Sequence, residues 1–572
     1  MLLMYVGVVG WSVPLGTILW RCNLVNPVAV GGIWRTLRKV SNHHSGGSGM
    51  SEPGALCSPV SFDLSSQPCI PVLTRDGQRQ WRSLCEVFAA ADSDVDIAIS
   101  HPSPGAEVAC YELLLAICHA AGYTPRSPQE WSKWIDQQRS FDKVVEWLTT
   151  GEGRGRFDLF DSERPFGQNA LLTEALTDLG YGPVQLMLER AKNYSQFADH
   201  VHLYDLEPVS ARDAFLAMII QHCYGLGGRV MAEGVVKQVQ HTLGYRRPIT
   251  DGAVGRLGAR VRILAIGDNL GRTLRLNLAI HESGGTLNAT WDERERRPFK
   301  AGSAMERRTM DGPSDWHSVL GRSVLLRGID GDPPTVDRVL LCAGETVAVE
   351  SEGDSYAEFD AVYVKGRLLK ASLDRALWRD AHAIYSASLA PQSGDGLFGL
   401  LGTELTRPVR LLAVGLAAVN RDVDGWVRDI FPFNPDRTSE LRDAAEVGVQ
   451  LAEDAAVALK DAGQEAFRCI YPACPDSKAQ RDKLKARFDA SDYLWARAGT
   501  SFHRLLDRVE AGHDTRSELS THAQTLRGIA SEALDERLRS LPPNGRGWQA
   551  KVRARDKLAK GLQARRFKEF GS

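Results

Sequence analysis

At 572 residues the chain is too long for one hydrophobic core and implies roughly two to four domains. Its 43% hydrophobic and 24% charged residues are ordinary for a globular protein, and a net charge of −2 excludes a global basic field, so any nucleic-acid surface has to be a local patch. The ten cysteines are scattered, with Cys469 and Cys474 the closest pair, which fits neither a zinc ribbon nor a disulfide framework and points to reduced thiols in the cytoplasm.

Met1 to Trp20 is uncharged and rich in Val, Leu and Gly, with Arg21, Arg35, Arg38 and Lys39 after it. This reads as a dispensable upstream extension, as a membrane segment, or as an ordered part of the fold; Pro14 and the glycines weaken the membrane reading. The linker-like Ser45-Gly-Gly-Ser-Gly precedes Met50, so residues 1–60 are set apart as a non-core extension.

Phe62 to Val72 reads as a short strand pair, and a helix begins at Trp81. Glu107 to Ala121 is a strongly apolar helix, and Trp131 to Trp147 adds more helix. The loop Tyr194 to Glu207 holds Asp199, His200, His202 and Asp205, a set that could be drawn as metal ligands or as an acid/base group but is better read as a loop satisfying itself or touching phosphate. Ala211 to Cys223 is a buried helix ending in Gly225-Leu226-Gly227-Gly228-Arg229. One glycine suffices for a C-cap; the surplus suggests a loop kept bare to approach a ligand. His222 and Cys223 do not make a nucleophile pair, because adjacent helical residues point apart.

Arg246, Arg247, Arg256, Arg260 and Arg262 form a basic stretch after the glycines. Arg262 to Ile280 alternates like a half-buried strand, most clearly in Thr273-Leu-Arg-Leu-Asn-Leu. Residues 282–316 read as a charged, irregular surface, and strands are expected at Ser323, Arg338 and Thr346. Ala361 to Leu369 is a hairpin turning at Lys365-Gly366, followed by a helix over Ser372 to Ser388. Beyond residue 400, amphipathic stretches at Val409–Asp429, Ser439–Phe467, Ser477–Val509, Thr515–Leu541 and Gln549–Arg566 predict a helical bundle. Its last helix carries Lys551, Arg553, Arg555, Lys557, Lys560, Arg565, Arg566 and Lys568 against Asp556 and Glu569, either a solvated face or a phosphate contact. The fold class is α+β: a mixed domain over 61–400 and a C-terminal four-helix-type bundle over 401–572.

A phosphate-binding Gly-x-x-x-x-Gly-Lys-Ser/Thr loop is absent, and no cofactor, metal site or catalytic set is expected. Taken together the motifs resemble the CasA family, the large subunit of the type I-E CRISPR surveillance complex Cascade. The resemblance rests on Phe62-Asp-Leu, Pro68-Cys-Ile-Pro-Val, Phe157-Asp-Leu-Phe, Arg164-Pro-Phe-Gly-Gln, Gly225-Leu-Gly-Gly, Gly267 to Leu278, Trp316 to Leu326, Ala376-Leu-Trp-Arg-Asp and Val414-Gly-Leu-Ala-Ala. It implies a subunit without hydrolytic activity that tests duplex DNA for a protospacer-adjacent motif, starts strand separation (the R-loop) and presents the site to a helicase-nuclease, working with guide RNA and the other Cascade subunits in antiviral defence. By resemblance, Gly225, Gly227, Gly228 and Arg229 meet the minor groove, Leu369, Lys370 and Ala371 form a strand-opening wedge, and Phe197 with Asp199 or His200 anchors the guide RNA. Lys551, Arg555, Arg565 and Arg566 are candidate DNA-backbone contacts. The lysine finger expected by resemblance between residues 282 and 310 has no clear match among Arg294, Arg296, Arg297 and Lys300. The alternatives are a nuclease with an unrecognised active site and a membrane-associated helical protein held by residues 1–20.

Overall fold

A sheet whose central strand faces a core on either side organises the molecule, and its strands explain where the two cores lie. The computed structural model describes residues 60–570 apart from 94, 174–175, 177–179, 190–206, 230–250, 253, 259, 292–308, 346, 348–358, 391–395, 420–421, 474–476 and 564. Strand Arg262–Ile266 pairs antiparallel with Val409–Val419, which in turn pairs with Asp422–Phe433. Successive strand side chains point to opposite faces. Ile263, Ala265, Leu411 and Ala413 accordingly join the core shared with the C-terminal helices, while Leu264, Leu412, Val414 and Leu416 join the core under the N-terminal elements.

Around this sheet the first core is closed by a small sheet, Arg79–Arg82, Ile70–Thr74 and Asp96–Ile99 in that order, and by helices Pro104–Ala120 and Ala211–Tyr224. The Leu84–Ala90 helix begins with a capping box, in which the Ser83 hydroxyl accepts from Glu86 N and Glu86 accepts from Ser83 N at 2.8 Å. A further ladder joins Val209–Ser210, Thr335–Ala343 and Arg322–Ile329. The expected strand at Thr346 lies almost wholly outside the described residues.

The second core continues into helices Thr438–Ile470, Ser491–Glu510, Thr515–Leu538 and Gly545–Gln563. The long helix presents a seam of Ala444, Gly448, Ala452, Ala455, Ala458, Ala462 and Ala466, small residues that let neighbouring helices approach closely. At Gly448 a β-carbon would sit 2.8 Å from Leu505. Residues 59–572 form one compact unit, α+β with a C-terminal helical bundle. Among the described residues no helix is long and apolar enough to cross a membrane.

Three expectations are corrected. Val409 to Asp429, expected as the first bundle helix, forms two antiparallel strands, because the apolar run Val409–Val419 suits a strand buried on both faces as well as a helix. The helical bundle therefore begins at Thr438 and not near 401. Residues Leu270–Leu276, expected as strand, form a helix capped by the Asn269 side chain, which accepts from Arg272 N at 2.7 Å. Within the segment from 282, expected as irregular surface, Asn288, Thr290, Ser314 and Asp315 are buried.

Candidate nucleic-acid interface

The helix Ala211–Tyr224 ends with Gly225 N donating to Gln221 O at 3.0 Å, and the chain then enters a two-residue ladder in which Gly228 faces Gly252 and Arg229 faces Asp251. Two glycines opposite one another leave a strip of bare backbone, which strands tolerate where another backbone or a ligand comes close. Gly225 itself is buried, and a β-carbon there would lie 2.5 Å from the Arg322 guanidinium. Its missing side chain thus serves internal packing: Arg322 donates to Leu226 O at 2.5 Å and to Gly321 O at 2.7 Å. Burial lowers Arg322 to about 10, so it remains charged beneath the loop at neutral pH.

The returning chain is clamped to this helix end, with Gly255 N donating to Gly225 O at 2.7 Å and Leu257 N to Cys223 O at 2.9 Å. At residue 255 a β-carbon would meet Cys223 O at 2.5 Å and Gly225 N at 2.9 Å, backbone atoms that cannot swing aside. Gly255→Ala is therefore expected to cost about 1–3 kcal/mol of stability, read as a lower urea midpoint at unchanged slope.

The arginines that follow do not form a basic surface. Arg256 reaches Glu112 Oε2 at 2.5 Å and His317 O at 3.0 Å; Arg262 Nε reaches Glu112 Oε1 at 2.7 Å and its Nη1 reaches Asp360 Oδ2 at 2.8 Å; Arg260 also pairs with Asp360. All are buried, and only Arg246 and Arg247 of the expected basic stretch lie outside the described residues. Burial alone would raise the Glu112 carboxyl, but Arg256, Arg262 and His317 outweigh it and hold it well below the ordinary carboxylate range. Asp360 is lowered in the same way, burial being overcome by Arg260 and Arg262. His317 is lowered by burial despite Glu112, so its Nδ1 carries the proton that Glu112 accepts at 2.8 Å. The sequence signal for this junction was Glu112, one of two glutamates inside the apolar helix: a buried charge needs a partner, and Glu107 finds its own in Arg428 at 2.9 Å.

The hairpin Tyr363–Val364 and Arg367–Leu368 turns on Lys365 at φ 51° and Gly366 at φ 72°, two left-handed residues as a tight two-residue turn requires. Leu369 is buried; its N donates to Val362 O at 2.8 Å and its O accepts from Val261 N at 2.9 Å. Ala371 is half-buried, and Lys370 between them is exposed. Of the expected wedge residues, only Lys370 is fully at the surface.

Along the last helix and just past it much of the positive charge is balanced, by acids on neighbouring elements and, for Lys560, by Asp556 on the helix itself. Arg555 pairs with Asp535 at 2.8 Å, Arg566 with Asp454 at 3.2 Å, Arg553 with Glu465 at 3.9 Å and Lys560 with Asp556 at 2.7 Å, while Lys551 lies 5.1 Å from the exposed Trp548 ring. Counting charge within one helix missed the acids across the bundle. The Arg565 side chain, Phe197, Asp199 and His200 lie outside the described residues, as do His202 and Asp205. Gly227 is half-buried.

His222 and Cys223 offer no nucleophile. Burial lowers His222 to about 4, with Nε2 within 2.9 Å of Gly167 O, and raises Cys223 to about 11. Among the described residues no group of three or more His, Cys, Asp or Glu is placed to hold a metal ion.

Fold and site together define a large α+β scaffold that carries a two-residue glycine ladder and a short hairpin beside a buried ionic junction and ends in a helical bundle. The chain matches the family of CRISPR-associated protein Cse1 over residues 63–533 and belongs to it, the family of the CasA large subunit of Cascade. It is 25% identical over 541 residues to the CRISPR-associated protein CasA/Cse1 of Thermus thermophilus, covering 89% of this chain and 96% of that one. The fold is similar to the crystal structure of Thermus thermophilus CasA, with a TM-score of 0.67 at 20% identity, covering 88% of this chain and 99% of that one. Cse1 from Acidimicrobium ferrooxidans superposes with a TM-score of 0.64 at 20% identity over 91% and 100% of the two chains. A chain of a CRISPR RNA-guided surveillance complex superposes with a TM-score of 0.63 at 18% identity over 88% and 100%.

Proposed function

We propose that this chain is the subunit of a type I-E RNA-guided surveillance complex that recognises the protospacer-adjacent motif in duplex DNA, starts strand separation and helps recruit a helicase-nuclease, without catalysing a reaction itself. Guide RNA, target DNA and the other Cascade subunits are its partners, and it works in the cytoplasm. The observation that carries the reading is the glycine ladder: Gly228 opposite Gly252 offers backbone groups, free of side chains, to a groove. Gly227 and Gly228 read the minor groove, with Arg229 beside them; Gly225 supports them through its packing on Arg322. Phe197 and the adjoining Asp199 or His200 stack on and hold the guide RNA. Lys551 and Arg565 contact DNA phosphates, and Arg555 and Arg566 do so on exchanging their exposed intramolecular pairs, which are worth little in water.

Lys370 is the wedge, carried on a hairpin whose base is fixed by buried Leu369. Unstacking the first base pair costs a few kcal/mol, which guide pairing and backbone contacts offset. In the reconstituted complex, Lys370→Ala is expected to slow opening of an intact target about tenfold and to leave a target with pre-melted first pairs nearly unaffected. An opening rate on intact duplex equal to the parent's overturns the wedge assignment.

A further inference from the structure

Between the glycine ladder and the Lys370 hairpin lie residues 254–258 and 260–262, and the way they are held has a mechanical consequence. At one end Gly255 and Leu257 are bonded to Gly225 and Cys223, at the foot of the glycine ladder. At the other end Val261 N donates to Leu369 O, one residue before Lys370. Between these ends, three arginines, Arg256, Arg260 and Arg262, are fixed to two buried carboxylates, Glu112 and Asp360. Asp360 also accepts from Ile263 N at 2.9 Å and lies three residues before the hairpin strand Tyr363–Val364.

We propose that residues 254–258 and 260–262 act as a strut that holds the glycine ladder and the Lys370 hairpin in one fixed register, with Glu112, Arg256, Arg262 and Asp360 as its positioning residues; this rests on the DNA-opening role given above. Buried ion networks are costly in desolvation, and apolar residues of similar volume hold a core together at least as well. What the guanidinium forks add is direction, because each fixes both the distance and the orientation of its carboxylate. Arg262 is the central piece, since it spans Glu112 on the Pro104–Ala120 helix and Asp360 at the root of the hairpin. A duplex gripped at the glycine ladder is then presented to Lys370 at a constant offset, and the strut does not yield when the duplex resists opening.

The test uses the complete reconstituted complex, with motif-bearing duplex affinity and strand-opening rate measured separately. Asp360→Asn is expected to keep affinity for the motif-bearing duplex within about threefold of the parent while slowing opening of intact duplex about tenfold or more. A target with pre-melted first pairs restores the rate. Arg262→Lys, which keeps the charge but cannot span two carboxylates, gives the same split. An unchanged opening rate in both variants overturns the strut, as does a rate equally slow on pre-melted targets, the signature of a damaged fold. If the Asp360→Asn complex does not assemble, Arg262→Lys decides by the same criteria. Failure of the underlying reading looks different: the parent complex itself then shows no preference for motif-bearing duplex.

Discussion

Glu112→Ala is expected to lower the free energy of unfolding by about 3–5 kcal/mol, the largest loss from any single truncation in this junction. The wild-type carboxylate receives Arg256, Arg262 and His317 at once, at 2.5, 2.7 and 2.8 Å, in a site from which water is excluded. Removing it strands one guanidinium group in the interior and halves the pairing of a second. Arg262 keeps Asp360, but Arg256 loses its carboxylate and retains the His317 carbonyl and the Trp316 ring, 5.1 Å away. Glu112→Gln keeps one acceptor oxygen and should fall between alanine and the parent. The pH dependence follows from the direction of the shift. Because the folded-state pKa lies below the ordinary 4.5, the stabilisation is present in full above that value and is lost as pH falls through the folded-state pKa. The gap between Glu112→Ala and the parent in denaturant melts should therefore be constant near neutrality and shrink in acid. Melts that coincide at neutral pH would show that the junction does not hold the fold.

How much of this was legible in the sequence depended on whether the deciding interaction was local. The Lys365-Gly366 turn was readable because a two-residue hairpin demands left-handed backbone at its tip. The Ala211–Tyr224 helix and its glycine end were readable for the same kind of reason. Where partners are distant in the chain, the local pattern misled. Arg256, Arg260 and Arg262 look like a basic patch until Glu112 and Asp360, about 150 and 100 residues away respectively, are folded against them. Val409 to Val419 reads equally as strand or helix, and only its pairing with Arg262–Ile266 decides. Gly225 and Gly228 lie three residues apart in one motif yet differ in role: the first gives way to Arg322, the second lies in the ladder. The family was legible from ordered motifs spread over the chain, since no one of them carries chemistry by itself.

That separation of the glycines makes Gly228→Asp the sharpest test of the interface. In the reconstituted complex this variant is expected to bind motif-bearing duplex about tenfold to a hundredfold more weakly at low salt, with guide-RNA assembly intact. Two effects add. A β-carbon at 228 covers backbone that otherwise lies bare opposite Gly252, and the carboxylate sets a negative charge against a polyanion. They can be told apart, because charge repulsion across solvent is screened by salt and steric exclusion is not. Gly228→Ala should therefore show the smaller loss, nearly constant relative to the parent from about 50 to about 200 mM salt. Gly228→Asp should approach the alanine variant as salt rises. Gly225→Ala provides the contrast: its β-carbon meets Arg322 inside the protein, so its defect should appear in unfolding as well as in binding. A duplex affinity for Gly228→Asp equal to the parent's would remove the ladder from the interface and leave its glycines as a feature of folding alone.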